Sequence, residues 1–139
     1  MQVALDWKRG MSFSGKVTNG LTIDLAAEPE IGGTGDGFTP MQLFALGLGG
    51  CTGIDVISIL HKKRQEVTAF EVRVNTQRAE EHPRVWTQVL LEYIVSGKNI
   101  DASAVERAIQ LSHDKYCPAQ NMLKKTVRIE SRYEIKETA

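Results

Sequence analysis

"GGCTGIDVISIL", residues 49 to 60, sets a thiol and a carboxylate inside an otherwise apolar run. Cys51 and Asp55 are four residues apart, so in a helix they share a face. The apolar run reaches back to Met41, and Thr39-Pro40 ahead of it reads as an N-cap followed by proline at the first helical position. This pattern predicts a helix from Met41 to about Leu60. A helix that is apolar nearly all round is buried on most sides, in a protein core or in a bilayer. It has the length of a membrane span, but Asp55 and the glycines at 47, 49, 50 and 53 argue against one. Gly49 and Gly53 are expected to admit a neighbouring helix or strand. The Gly49-Gly50 pair could also kink or restart the helix and leave Cys51 near a helix start.

Elements of other kinds surround this helix. "QVALDW", "MSFSGKV" and "LTIDLA" alternate apolar and polar residues, with "TNG" as a hairpin signal, and predict a meander of short antiparallel strands. Residues 28 to 40, "EPEIGGTGDGFTP", form a glycine-rich loop without the spacing of a phosphate cradle, and are expected to be a flexible lead into the helix. Downstream, "TAFEVRVNTQ" and "VWTQVLLEYIV" predict a long hairpin with one buried face. "DASAVERAIQLSHDKY" follows as an amphipathic helix capped by Asp101. "CPAQNMLKK" starts a short helix and "TVRIESRYEIK" is the last strand. The order βββ-α-ββ-α-α-β is α+β, because strands and helices do not alternate one for one.

Composition narrows the function. The 139 residues fit a single domain spanning 1–139, long enough to bury a core without disulfide staples. Seventeen basic residues balance seventeen acidic ones, which gives no electrostatic case for nucleic acid or an anionic membrane. "MQVALDWKRG" lacks the apolar stretch of a signal peptide, and two cysteines do not make a secreted framework, so a cytoplasmic protein is expected. His61, His82 and His113 are scattered and no CxxC occurs, so neither a metal site nor a cofactor is expected.

Each thiol is ambiguous by itself. Cys117, before Pro118, is expected to be the N-cap of a helix, where amide N–H groups, the helix dipole, His113 and Lys115 could favour thiolate. Taken alone, it reads more readily as an inert thiol at a helix corner. Cys51 could be a packing residue whose pKa burial and Asp55 raise.

"GGTGDGFTPMQLFALGLGGCTGIDVISIL" followed far downstream by "LSHDKYCPAQNML" resembles the OsmC/Ohr family of thiol-dependent hydroperoxide reductases. The resemblance covers essentially the whole chain. It implies an intertwined homodimer in which antiparallel strands wrap a central apolar helix. It also implies a peroxidatic cysteine matched by Cys51, a resolving cysteine matched by Cys117, an organic hydroperoxide as substrate and a dithiol as reductant. The family's acidic residue after the proline falls at Met41 or Gln42, and its arginine falls nearest Arg9, so Gln42 and Arg9 complete the candidate site. The alternative is a non-enzymatic binding or redox-sensing dimer, which the missing carboxylate at Met41 and Gln42 favours.

Overall fold

The computed structural model describes residues 1–138. The element order is the expected one, in two compact units that meet in sequence between Phe44 and Ala45.

The first unit is built on a three-stranded antiparallel sheet of β1 (Val3–Arg9), β2 (Ser12–Val17) and β3 (Thr22–Ala26). The Asn19-Gly20 turn joins β2 to β3, with Gly20 at φ 92° and the Leu21 N–H donating to Asn19 Oδ1 at 3.1 Å. The glycine-rich loop is not the free lead expected from its composition. The Phe38 N–H donates to Asp24 O at 3.0 Å and the Ala26 N–H to Phe38 O at 3.0 Å, so the loop lies along β3. Glycine permits this: a Cβ on Gly33 would stand 1.6 Å from Ala27 O. Asp36 fastens the loop to β2 by accepting from the hydroxyls of Thr34 at 2.7 Å and Ser12 at 3.0 Å.

The helix α1 (Pro40–Lys62) begins with a reciprocal cap. The Gln42 N–H donates to Thr39 Oγ1 at 3.3 Å, and the Thr39 N–H donates to Gln42 Oε1 at 3.0 Å. The helix runs unbroken through Gly49 and Gly50, so Cys51 lies in its middle and not near a start.

In the second unit β4 (Glu66–Arg78) and β5 (Trp86–Lys98) form the expected hairpin. The register pairs Phe70 with Val95, Val72 with Tyr93 and Val74 with Leu91, which puts one apolar face inward. The last strand, β6 (Arg128–Glu137), lies parallel to β5, a departure from the all-antiparallel expectation. The α2 and α3 segments between β5 and β6 supply the crossover that a parallel pairing needs. The helix α2 (Ala102–Leu111) is capped by Asp101, which accepts from the Ser103 N–H at 3.0 Å. It ends earlier than predicted: residues 112 to 116 widen into a π turn, closed by the Cys117 N–H donating to Ser112 O at 2.9 Å. The short helix α3 (Pro118–Leu123) follows.

The core lies where α1 and α2 meet the inner face of this sheet. Leu48, Thr52, Val56 and Leu60 form the buried stripe of α1, one residue per turn, with Val89, Leu91, Tyr93 and Val95 of β5 and Val105 and Ala108 of α2. Each fully buried Leu or Val contributes about 1.5–3 kcal/mol. The glycines set how near α1 comes to β4. A Cβ on Gly49 would meet Val74 Cγ2 at 2.9 Å, and one on Gly53 would meet Val72 Cγ2 at 3.3 Å. A strand, then, is what these glycines admit. Gly53→Leu should therefore lower stability by about 1–3 kcal/mol through overpacking. Urea denaturation checks this; an unchanged midpoint would mean the face is open.

Candidate thiol site

The two cysteines, 66 positions apart in sequence, face each other with their sulfurs 3.1 Å apart. Cys51 is half-buried in the middle of α1, while Cys117 is fully buried between the π turn and α3. Both are free thiols.

Cys117 is the N-cap that Pro118 predicted, and its sulfur accepts the Gln120 N–H at 3.3 Å. The expected acidic thiol does not follow. Burial, first, and then the hydrogen bond to Cys51 push the Cys117 thiol up to about 11; the charges of Cys51 and Asp55 add to this and the Gln120 N–H opposes it. Nor do the flanking His113 and Lys115 side chains pair with the sulfur. His113 turns its Nδ1 to Gln120 Oε1 at 2.8 Å, and the Lys115 ammonium lies 5.3 Å from the centre of the Tyr116 ring. Cys117 is thus the S–H donor of the pair and Cys51 the acceptor.

A cluster of buried polar side chains backs the sulfurs. Thr52 Oγ1 lies 2.7 Å from the Tyr93 hydroxyl, 2.8 Å from Ser112 Oγ and 3.0 Å from Gln120 Nε2. Ser112 Oγ donates to Asp55 Oδ2 at 2.9 Å, which gives the carboxylate singled out in the apolar run its partner. Asp55 also faces a cleft of about 380 Å³ lined by Ile54, Ile59, Lys62, Leu111 and Tyr116. Thr52, Ser112 and Gln120 are not among the site residues that the sequence singles out. The one available signal was a threonine on the stripe of α1 that otherwise reads Leu48, Val56, Leu60.

Arg9 and Gln42 belong to the first unit, and each has work there. The exposed guanidinium of Arg9 lies 3.4 Å from Asp36 Oδ2. The Thr34 and Ser12 hydroxyls, and less so Arg9, hold the Asp36 carboxyl below its usual range. The Gln42 amide oxygen is taken up by the helix cap.

These elements define a two-thiol α+β protein, with one sulfur on a long apolar helix and the other at the start of a late short one. The chain belongs to the OsmC-like family: residues 33–132 match the family model described as "OsmC-like protein". It is 40% identical over 136 residues to Protein YhfA of Escherichia coli K12, covering 97% of this chain and 98% of that one. A hypothetical protein of Aquifex aeolicus VF5 shares the fold at TM-score 0.88 and 29% identity, covering 99% of this chain and 97% of that one. An organic hydroperoxide resistance protein OsmC of Legionella pneumophila superposes at TM-score 0.73 and 19% identity, covering 96% of this chain and 97% of that one. At that identity the likeness is one of fold.

The elevated pKa of Cys117 carries a pH signature. A thiol that ionises near 9.0 in the unfolded chain and near 11 in the fold keeps a proton that the unfolded chain has lost. Its contribution to stability is therefore full below about pH 9 and declines as pH rises towards 11. Urea midpoints should fall across this window in the wild type and much less in Cys117→Ser. An equal fall in both would show that Cys117 does not titrate this way.

Proposed function

We propose that this chain reduces organic hydroperoxides through Cys51 and Cys117, as a cytoplasmic homodimer recycled by a dithiol and working as one OsmC-like domain. The observation that carries the reading is the 3.1 Å approach of the sulfur of half-buried Cys51 to that of fully buried Cys117. Burial supports Cys51 as the attacking sulfur and Cys117 as the resolving one. Cys51 is the less buried of the two, whereas Cys117 is fully buried and holds its proton well above neutral pH.

Cys51, as thiolate, attacks the distal peroxide oxygen; an S–O bond forms, the O–O bond breaks, and the alkoxide takes a proton and leaves as the alcohol. The Cys117 sulfur then attacks the sulfenic sulfur. The S–S bond forms, the S–O bond breaks, and hydroxide leaves with the Cys117 proton as water. Closing the pair brings the sulfurs from 3.1 Å to roughly 2.05 Å. A dithiol reductant then opens the bond by exchange.

A redox-sensing or binding dimer is the second reading. It is favoured by Met41 and Gln42, the positions at which the family resemblance implies an acidic residue and this chain has none; the Gln42 amide oxygen accepts from the Thr39 N–H in the helix cap.

One equivalent of cumene hydroperoxide should convert both thiols to an intramolecular disulfide. Cys117→Ser should stop at a dimedone-trappable sulfenic acid on Cys51 and then over-oxidise, and Cys51→Ser should leave Cys117 largely reduced. If Cys51→Ser consumes peroxide as fast as the wild type, Cys51 is not the attacking sulfur.

The homodimer rests on uncovered apolar surface. On α1, Met41, Phe44, Leu46 and Ile54 are exposed, Ile54 by 70%. In the first unit Leu5, Trp7 and Phe13 are exposed as well. Large apolar side chains left exposed in such number along one helix and one sheet suit an interface, and a second copy of the chain is the partner that would cover them. Light scattering should give twice the 15.4 kDa chain mass at micromolar concentration; a folded monomer there would overturn the assembly.

A further inference from the structure

Thr52 is the hub of the sealed cluster behind the sulfurs. Thr52, Tyr93, Ser112 and Gln120 are all fully buried, and among the described residues every buried side-chain polar atom has a partner. Counting hydrogens gives each bond its direction. Gln120 Nε2 can only donate, so Thr52 Oγ1 accepts from it. Ser112 spends its one hydroxyl hydrogen on Asp55. Ser112 must then accept from Thr52, and Thr52, its own hydrogen spent, accepts from the Tyr93 hydroxyl. The hydroxyls run one way, from Tyr93 through Thr52 and Ser112 to Asp55, and Gln120 joins at Thr52. Gln120 Oε1 is held in turn by His113 Nδ1.

The position of this hub matters more than its completeness. Thr52 follows Cys51 on α1, and Gln120 lies in the first turn of α3, where its N–H meets the Cys117 sulfur at 3.3 Å. The Thr52–Gln120 bond therefore ties together the same two elements that carry the thiols. A disulfide tolerates little error in separation or dihedral angle. The tie acts where that error arises.

We propose that Thr52 is a positioning residue for the Cys51–Cys117 couple: by holding Gln120, its hydroxyl fixes α3 against α1 with the two sulfurs in bonding reach. The inference rests on the two-thiol reading above but not on the peroxide chemistry. With the tie in place Cys117 explores less space, so the effective concentration of one thiol at the other is high and the disulfide resists reduction. Without it, α3 drifts and the couple becomes easier to reduce.

The test is equilibration with glutathione. Two protein thiols and one glutathione disulfide exchange to one protein disulfide and two glutathione thiols, so electrons and protons balance without a peroxide. The fraction oxidised is read by acid quench and intact mass. Thr52→Val should lower the equilibrium constant about tenfold, which is about 30 mV for this two-electron couple. Gln120→Met, which cuts the same tie from the other side, should do likewise, and Thr52→Ser should restore the wild-type value. Val56→Ala, a cavity on the same helix outside the cluster, should lower the melting temperature and leave the constant alone. The proposal is overturned if Thr52→Val and Gln120→Met keep the wild-type constant, if Val56→Ala shifts it as they do, or if the wild type closes no intramolecular disulfide. A couple that behaves as expected in a protein that consumes no peroxide leaves this inference standing and removes the function proposed above. Peroxide reduction with an unshifted Thr52→Val couple does the reverse.

Discussion

The close seat of α1 on the second sheet is the constraint from which the site follows. Gly49 and Gly53 leave no side chain between the helix and Val74 and Val72 of β4, so the helix can bury a stripe one residue wide per turn. That stripe fixes the rotation of the helix. With Leu48, Val56 and Leu60 against the core, Thr52 must point inward, and Cys51 and Asp55 come to its flank, half-buried and facing the π turn and α3. Bulk at either glycine would move the sulfur as well as the packing.

Burial then decides what each thiol is suited for. The N-terminal position on α3 gives Cys117 one N–H, a modest favour to an anion, while its complete burial beside Cys51 and Asp55 opposes one more strongly. The larger effect wins, and the thiol stays protonated far above neutral pH. In the proposed reaction this suits a resolving group, which must stay out of reach of peroxide and deliver its proton with the leaving hydroxide. Cys51, with open space at the neighbouring Gly50, is the less enclosed of the two.

Much of the fold was legible because its signals are local. Alternation gave the strands, Asp101 and Pro118 gave helix starts, and the apolar run gave α1. What stayed hidden depends on tertiary placement. The parallel pairing of β6 leaves no mark on its own alternation, and the π turn at residues 112 to 116 reads as one more turn of α2. Cys117 looked acidic because a cap can be read from sequence and desolvation cannot. Of the candidate site, the two sulfurs were legible through family resemblance. The polar cluster was not, since Thr52, Ser112 and Gln120 converge only when three elements pack. The cap at the start of α1 was legible too, since the Thr39-x-x-Gln42 spacing is that of a capping box.

The most direct measurement is the second-order rate of cumene hydroperoxide with the reduced wild-type protein, set beside that of free cysteine at the same pH. A peroxidatic Cys51, with Cys117 donating to it, reacts far faster than free cysteine, and the rate is lost in Cys51→Ser. A wild-type rate no greater than that of free cysteine would contradict a peroxidase and leave the binding or sensing reading.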